Sequence, residues 1–92
     1  MAVFDSAKTR QAAKLIGRLA DSVDSGILPP LRRSEEEAEG MYGKTAEALL
    51  ERLLVLKNQY SGMRNELEEL SQLLDRCADI LEEADEQLAG KL

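Results

Sequence analysis

The hydrophobic residues in the second half of the chain follow a seven-residue repeat. Steps of four and three residues from Tyr42 to Leu88 pass through 14 positions, and every one is apolar. These positions are Tyr42, Ala46, Leu49, Leu53, Leu56, Tyr60, Met63, Leu67, Leu70, Leu74, Cys77, Leu81, Ala84 and Leu88. Such a repeat keeps one seam of a helix facing a neighbouring helix. It predicts a helix over about residues 44–89, roughly 70 Å long.

The seam is wider than that of a two-stranded coiled coil, because further apolar residues flank it. They are Leu50, Leu54, Leu73 and Ile80. A widened apolar stripe is typical of helices in a bundle of three or four.

The N-terminal part predicts a second, interrupted helical arm over about residues 5–39. Its apolar positions have similar spacing and are Ala12, Ile16, Leu19, Val23 and Ile27. Ser25 and Gly26 are stop signals, and Pro29 and Pro30 disfavour an uninterrupted helix. Pro30 fits the first turn of a new segment over about residues 30–39. The arm should therefore be kinked at residues 26–30.

Small residues line one side of the first helix and would allow another helix to approach closely. They are Ala13, Gly17 and Ala20.

Gly40 and Gly43 enclose Met41 and Tyr42 and predict a turn at residues 40–43. The predicted fold is all-α: one domain over residues 1–92, a two-helix antiparallel hairpin completed by a partner chain. The alternative is a single broken helix running through Gly40, which would form an elongated dimeric coiled coil.

Composition narrows the function classes. The chain is 43% hydrophobic and 33% charged with a net charge of −6, and this balance opposes binding to nucleic acid or to an anionic membrane surface. No apolar run matches a membrane span or the core of a signal peptide, so we expect synthesis in the cytosol and no membrane insertion. The acidic excess lies in residues 61–92, with 9 acidic and 3 basic side chains. This acidic end either keeps the chain soluble or meets a basic surface on a partner.

The side chains available for chemistry are few. The chain has no His and a single Cys, Cys77, which removes the usual general base, an internal disulfide and a multi-Cys zinc site. Cys77 lies in the seam and is interpreted as a small buried hydrophobe. Carboxylate pairs such as Glu66 and Glu69 are interpreted as solvated. We therefore expect no catalytic residue, no cofactor, no metal and no enzymatic activity.

The predicted turn carries a family resemblance. Met41-Tyr42-Gly43, between two amphipathic helices in a chain of 92 residues, resembles the WXG (ESAT-like) helical-hairpin family of type VII secretion. Gly43 matches the motif glycine and Met41 stands where the Trp belongs. The Tyr-x-x-x-Asp/Glu export signal of the family has no match here, and Leu81 and Asp85 lie at the comparable place with an aliphatic residue instead of the aromatic one.

A divergent branch of that family fits better, namely the small helical partners of LXG toxins in Gram-positive bacteria. The resemblance implies binding to the helical N-terminal domain of a toxin, or to a second small hairpin protein, and export without a cleavable signal peptide. The expected partner-binding seam consists of Leu49, Leu53, Leu56, Tyr60, Met63, Leu67, Leu70, Leu74 and Leu81.

Two alternatives use the same seam. One is a cytosolic coiled-coil adaptor that is not exported and homo-oligomerises. The other is an acidic chaperone that stays behind after its client is exported. Phe4 either staples the first helix or anchors a partner.

Overall fold

The computed structural model describes residues 5–91, apart from the side chains of residues 89 and 91, and these residues form a helical hairpin. Helix α1 covers Ser6–Ser22, a π-helical turn covers Val23–Ile27, and α2 covers Leu28–Glu39. Helix α3 covers Lys44–Lys91 and runs back along the first arm. The hairpin measures 74 × 19 × 18 Å and contains no strand within residues 5–91. The predicted all-α hairpin is confirmed.

Asp5 starts the first arm as an N-cap. Its carboxylate accepts a hydrogen bond from the backbone N–H of Ala7 at 2.9 Å, and this satisfies one of the N–H groups that lack an intrahelical partner. A negative charge at this position also interacts favourably with the helix dipole. Phe4, the other predicted feature of this end, lies outside the described residues.

The predicted break at residues 26–30 is a π-helical turn, and the arm does not stop at Ser25 or Gly26. The N–H of Leu28 bonds to the carbonyl of Val23, five residues earlier. Pro29 and Pro30 have no N–H to give to the carbonyls four residues before them. Widening the helix by one residue places both prolines in the first turn of α2, where missing N–H groups do not matter. Ser25 and Gly26 therefore do not end the arm, and the two segments predicted on either side of residues 26–30 are joined by this turn at Val23–Ile27.

Gly43 reverses the chain. Its φ of +101° lies in the left-handed region, which glycine adopts without strain. The N–H groups of Gly40 and Met41 close the end of α2 by bonding to Glu37 and Ala38 at 3.2 and 3.1 Å. The chain therefore returns on itself, and the alternative of one helix through Gly40 is wrong.

The seam of α3 divides between two directions. We label the seam positions a (Ala46, Leu53, Tyr60, Leu67, Leu74, Leu81, Leu88) and d (Leu49, Leu56, Met63, Leu70, Cys77, Ala84), so that positions 50, 57, 64, 71 and 78 are e. From residue 46 to residue 81, every a residue and every e residue is buried or half-buried. The first arm therefore packs against the a and e positions, and the d positions other than Cys77 are exposed.

The interior of the hairpin is made largely of alanine. Ala13, Ala20, Ala38, Ala46 and Ala78 are each at most 7% exposed. A Cβ added at Gly17 would lie 3.3 Å from the Oγ of Ser71, and that hydroxyl donates to the carbonyl of Ala13 at 2.8 Å. This is the close approach that the small residues of α1 predict. Because small side chains bury little apolar surface, such a core stabilises the isolated chain only modestly.

Candidate functional site

One side of the hairpin is held by ion pairs between α1 and the C-terminal part of α3. The guanidinium of Arg10 donates to Asp79 at 2.6 Å and to both carboxylate oxygens of Glu82 at 2.8 and 2.9 Å. Asp75 lies 3.7 Å from it. The hydrogen bonds with Glu82 and Asp79 raise the pKa of Arg10. The hydrogen bond from Arg10 lowers the pKa of Glu82, because the charged carboxylate is the better acceptor.

Two further ion pairs continue along the e positions toward the turn. Arg64 donates to Asp24 at 2.8 Å and also contacts Glu68 within its own helix. The hydrogen bond with Asp24 raises the pKa of Arg64. Lys57 donates to Glu35 at 2.8 Å. These pairs join the two arms at matching levels along the hairpin.

The d positions of α3 lie outside this contact. Leu49, Leu56, Met63 and Leu70 are 39% to 44% exposed. Leu73 and Ile80, which directly precede the a positions Leu74 and Leu81, are 49% and 65% exposed. Apolar groups exposed singly on a surface are ordinary, but an aligned row of them marks a binding surface.

Helix α1 adds two exposed leucines, Leu15 at 63% and Leu19 at 51%. A shallow polar groove marks one flank of the hairpin and is lined by Lys14 and Arg18 on α1 and by Gln72 and Asp75 on α3. At 100° per residue, Leu19 lies on the side of α1 that is turned away from this groove, and Leu70 lies on the corresponding side of α3. Because the two helices are antiparallel neighbours, the sides that carry Leu19 and Leu70 lie next to each other on the same face of the hairpin.

The register places these residues next to one another along the hairpin. The contacts of Ala13 with Ser71 and of Arg10 with Asp79 put Leu15 at the level of Leu73, within about one helical turn. The exposed apolar residues of both arms therefore lie along the same flank of the hairpin, with Leu15 and Leu73 toward its outer edges. This open face consists of Leu15 and Leu19 of α1 and of Leu49, Leu56, Met63, Leu70, Leu73 and Ile80 of α3.

The predicted partner-binding seam divides in the structure. Leu49, Leu56, Met63 and Leu70 lie on the open face. The other predicted residues pack against the first arm and are Leu53, Tyr60, Leu67, Leu74 and Leu81. The sequence places Leu73 and Ile80 beside the seam, as residues that widen it, but neither of them nor Leu15 is among the predicted binding residues. The signal for the division is the polar content of the e positions, since Lys57, Arg64 and Ser71 suit a contact rich in ion pairs and hydrogen bonds.

The other predicted elements lie at the two ends of the hairpin. Tyr42 is 100% exposed and Met41 is also exposed, at the tip formed with Gly43. Leu81 is half-buried and Asp85 exposed near the far end of α3, about 60 Å from the tip at the rise of an α-helix. Cys77 is half-buried at a d position.

Among residues 5–91 no group of three or more His, Cys, Asp or Glu side chains could hold a metal ion. No helix in this part of the chain is long and apolar enough to cross a membrane. No protein-family model, curated protein or solved structure matches the chain. The resemblance to WXG proteins therefore stays a prediction.

Proposed function

We propose that this chain is a small helical partner protein that binds a second helical chain through its open face. The observation that carries the proposal is the row of exposed leucines at the d positions of α3, adjoined by Leu15 and Leu19 of α1. The groove between two antiparallel helices accepts a helix or a helical hairpin. Covering it completes a bundle of three or four helices.

Binding is driven by the burial of apolar side chains that are exposed to solvent in the isolated hairpin. Full burial of a leucine side chain contributes about 1.5–3 kcal/mol, so a residue that is already half-buried gains about half of that. Several such residues along one groove contribute together, and their sum must exceed the cost of association for a complex to form. The ion pairs on the opposite side preorganise the groove because they hold the arms in register.

The partner that we propose is the helical N-terminal domain of a type VII-secreted LXG toxin, or a second small hairpin protein, in an export-competent complex. The support is the resemblance of Met41-Tyr42-Gly43 and its place at an exposed hairpin tip. The element formed by Leu81 and Asp85 would then be presented near the other end of the hairpin.

The test is co-purification with the helical N-terminal domain of a toxin encoded by a neighbouring gene. Leu70→Glu places a charge in the centre of the open face, where burial without a counter-ion costs several kcal/mol, and should abolish co-purification. Gln72→Glu is the matched control, since it adds the same charge two residues away at an exposed position on the polar groove. Normal co-purification of Leu70→Glu would contradict the proposal.

Export is tested separately. The targeting role requires this protein in the culture supernatant together with the toxin domain. Its retention in the cell while the toxin is exported would favour an acidic chaperone. The non-exported adaptor that homo-oligomerises is the second candidate, because the exposed d-position leucines could equally pack against a second copy of the chain.

A further inference from the structure

We infer that the π-helical turn at Val23–Ile27 is a phase-correcting device, which rotates α2 about its own axis so that the buried side of α2 continues the buried side of α1. The turn holds one residue more than an unbroken helical repeat would contain. The inference concerns the first arm and goes beyond the proposed function, because it does not involve the open face.

The buried side of α1 follows a regular repeat. Its residues are buried or half-buried, are separated by steps of four and three, and are Thr9, Ala13, Ile16, Ala20 and Val23. Steps of this kind keep one side of a helix against its neighbour, which here is α3.

The buried side of α2 follows the same kind of repeat in a different phase. Its residues are Leu28, Leu31, Glu35 and Ala38. The step from Val23 to Leu28 is five residues, where the repeat requires four. The two helices therefore differ in phase by one residue, which is about 100° around the helix axis.

An unbroken repeat would bury the wrong residues of α2. Counted from Val23, it would continue through Ile27, Pro30, Ser34 and Glu37. The last three of these are exposed in the structure. Without a correction of phase, α2 would present polar residues to α3 and leave Ala38 outside the interior.

The π-helical turn supplies this correction. The N–H of Leu28 bonds to the carbonyl of Val23, five residues earlier instead of four, so the extra residue lies within a helix that continues. Val23 and Leu28 are 2% and 5% exposed on the two sides of the turn. Further along α2, Glu35 accepts a hydrogen bond from Lys57 at 2.8 Å, which shows that the corrected phase extends toward the hairpin tip.

The phase of the repeat and the prolines are separate reasons for a widened turn. Pro29 and Pro30 lack N–H groups, but that lack is also tolerated at the start of a helix after an ordinary break. The change of phase belongs to the buried residues on both sides of the turn. The inference therefore predicts that the extra residue is required by the phase, even in a chain without these prolines.

Two serines beside the turn provide matched deletions. Both are exposed, and the hydroxyl of each donates to a carbonyl four residues earlier, at 2.9 Å from Ser22 and 3.0 Å from Ser25. Deletion of Ser25 shortens the step from Val23 to Leu28 to four residues, so one repeat covers the whole arm. Deletion of Ser22 leaves that step at five and moves Val23 out of the repeat of α1.

Urea unfolding is measured in a proline-free chain that carries Pro29→Ala and Pro30→Ala. This chain should keep a midpoint close to that of the wild type, because its phase is unchanged. Deletion of Ser25 from the proline-free chain should not lower the midpoint, since every buried residue of the arm keeps its place in an ordinary α-helix. Deletion of Ser22 should lower the midpoint because Val23 loses its buried position.

The rotation of α2 is measured by the reaction rates of thiols at residues 37 and 38. Glu37 is exposed and Ala38 is 1% exposed, so a rotation by one residue would reverse their environments. Glu37→Cys and Ala38→Cys are each combined with Cys77→Ala. The thiol at residue 38 should react at least about tenfold more slowly than the thiol at residue 37, because it needs local opening of the helix. The same ratio is expected in the proline-free chain after deletion of Ser25.

Each result decides the inference. Equal loss of midpoint on deletion of Ser25 and of Ser22 overturns it, and so does a thiol at residue 38 that reacts as fast as the one at residue 37 after deletion of Ser25. A large loss of midpoint in the proline-free chain also overturns it, because the prolines would then maintain the turn. The proposed function is tested by co-purification through the open face, so its failure is distinguishable from failure of this inference.

Discussion

The e and d positions of α3 recur with the same spacing, but the e positions contact the first arm and most d positions are exposed. At the e positions, Lys57, Arg64 and Ser71 each bond to the first arm. At the d positions, Leu56, Met63 and Leu70 remain exposed although they are apolar. The difference teaches that the side of α3 that meets the first arm combines apolar a positions with polar e positions that bond across the hairpin. The stronger hydrophobic surface is left for a contact outside the hairpin.

The largest expected effect comes from placing the same charge on each side of this division. Leu53→Glu would bury an unpaired carboxylate inside the hairpin, with a loss of about 3–5 kcal/mol in the free energy of unfolding. Leu70→Glu should leave the helix content of the isolated chain unchanged and remove pairing. Circular dichroism melts and light scattering of both variants measure the two effects. An equal loss of helix content in both variants would contradict the assignment of the a positions to the interior and the d positions to the exposed face.

A smaller effect is expected where the arms approach most closely. Gly17→Leu must displace Ser71, whose Oγ would lie 3.3 Å from an added Cβ, and should cost about 1–3 kcal/mol. Gly62→Ala is the matched variant on the outside of α3, because nothing lies within 4 Å of its added Cβ. It should stabilise the chain by about 0.5–1 kcal/mol, since alanine favours a helix interior. Urea unfolding of the two variants tests the opposite signs, and a neutral Gly17→Leu would contradict the close approach.

The smallest expected effect is on the pH dependence of folding stability, through the ion pair between Arg10 and Glu82. The hydrogen bond from Arg10 lowers the folded-state pKa of Glu82, so the unfolded chain binds more protons in the acidic range. The stabilisation is complete above the ordinary pKa of a glutamate. It is lost as pH falls through the lowered folded-state value. Thermal melts between neutral and acidic pH should show a loss of stability that is shallower in Glu82→Gln. An identical pH profile in that variant would exclude Glu82 as a contributor.

Much of the fold could be predicted because the repeat and the turn residues are local signals. The apolar repeat from Ala46 to Leu88 indicated α3, and Gly40 and Gly43 indicated the turn. The π-helical turn at Val23–Ile27 could not be predicted from Pro29 and Pro30 alone. Prolines are compatible with either a break or a widened turn, and the packing of Val23 and Leu28 against α3 makes continuation favourable.

The candidate site was predictable only in part. Leu49 and Leu70 were recognised as seam residues, but so were Leu53 and Leu74, which the hairpin uses for itself. A repeat of hydrophobic residues indicates which residues are stabilised by burial, but it does not indicate which helix they pack against. Leu15 could not be assigned from the sequence because its exposure depends on how α1 is rotated against α3.

The sequence by itself therefore determined the helices, the reversal at Gly43 and the total apolar surface, since backbone preferences and hydrophobic spacing are properties of nearby residues. Only the tertiary structure decided the rotation of α3 about its own axis. That rotation depends on bonds between distant residues, such as Arg10 with Glu82 and Ser71 with Ala13. With the a and e positions in the interior, the leucines and the methionine at the d positions of α3 remain on the open face.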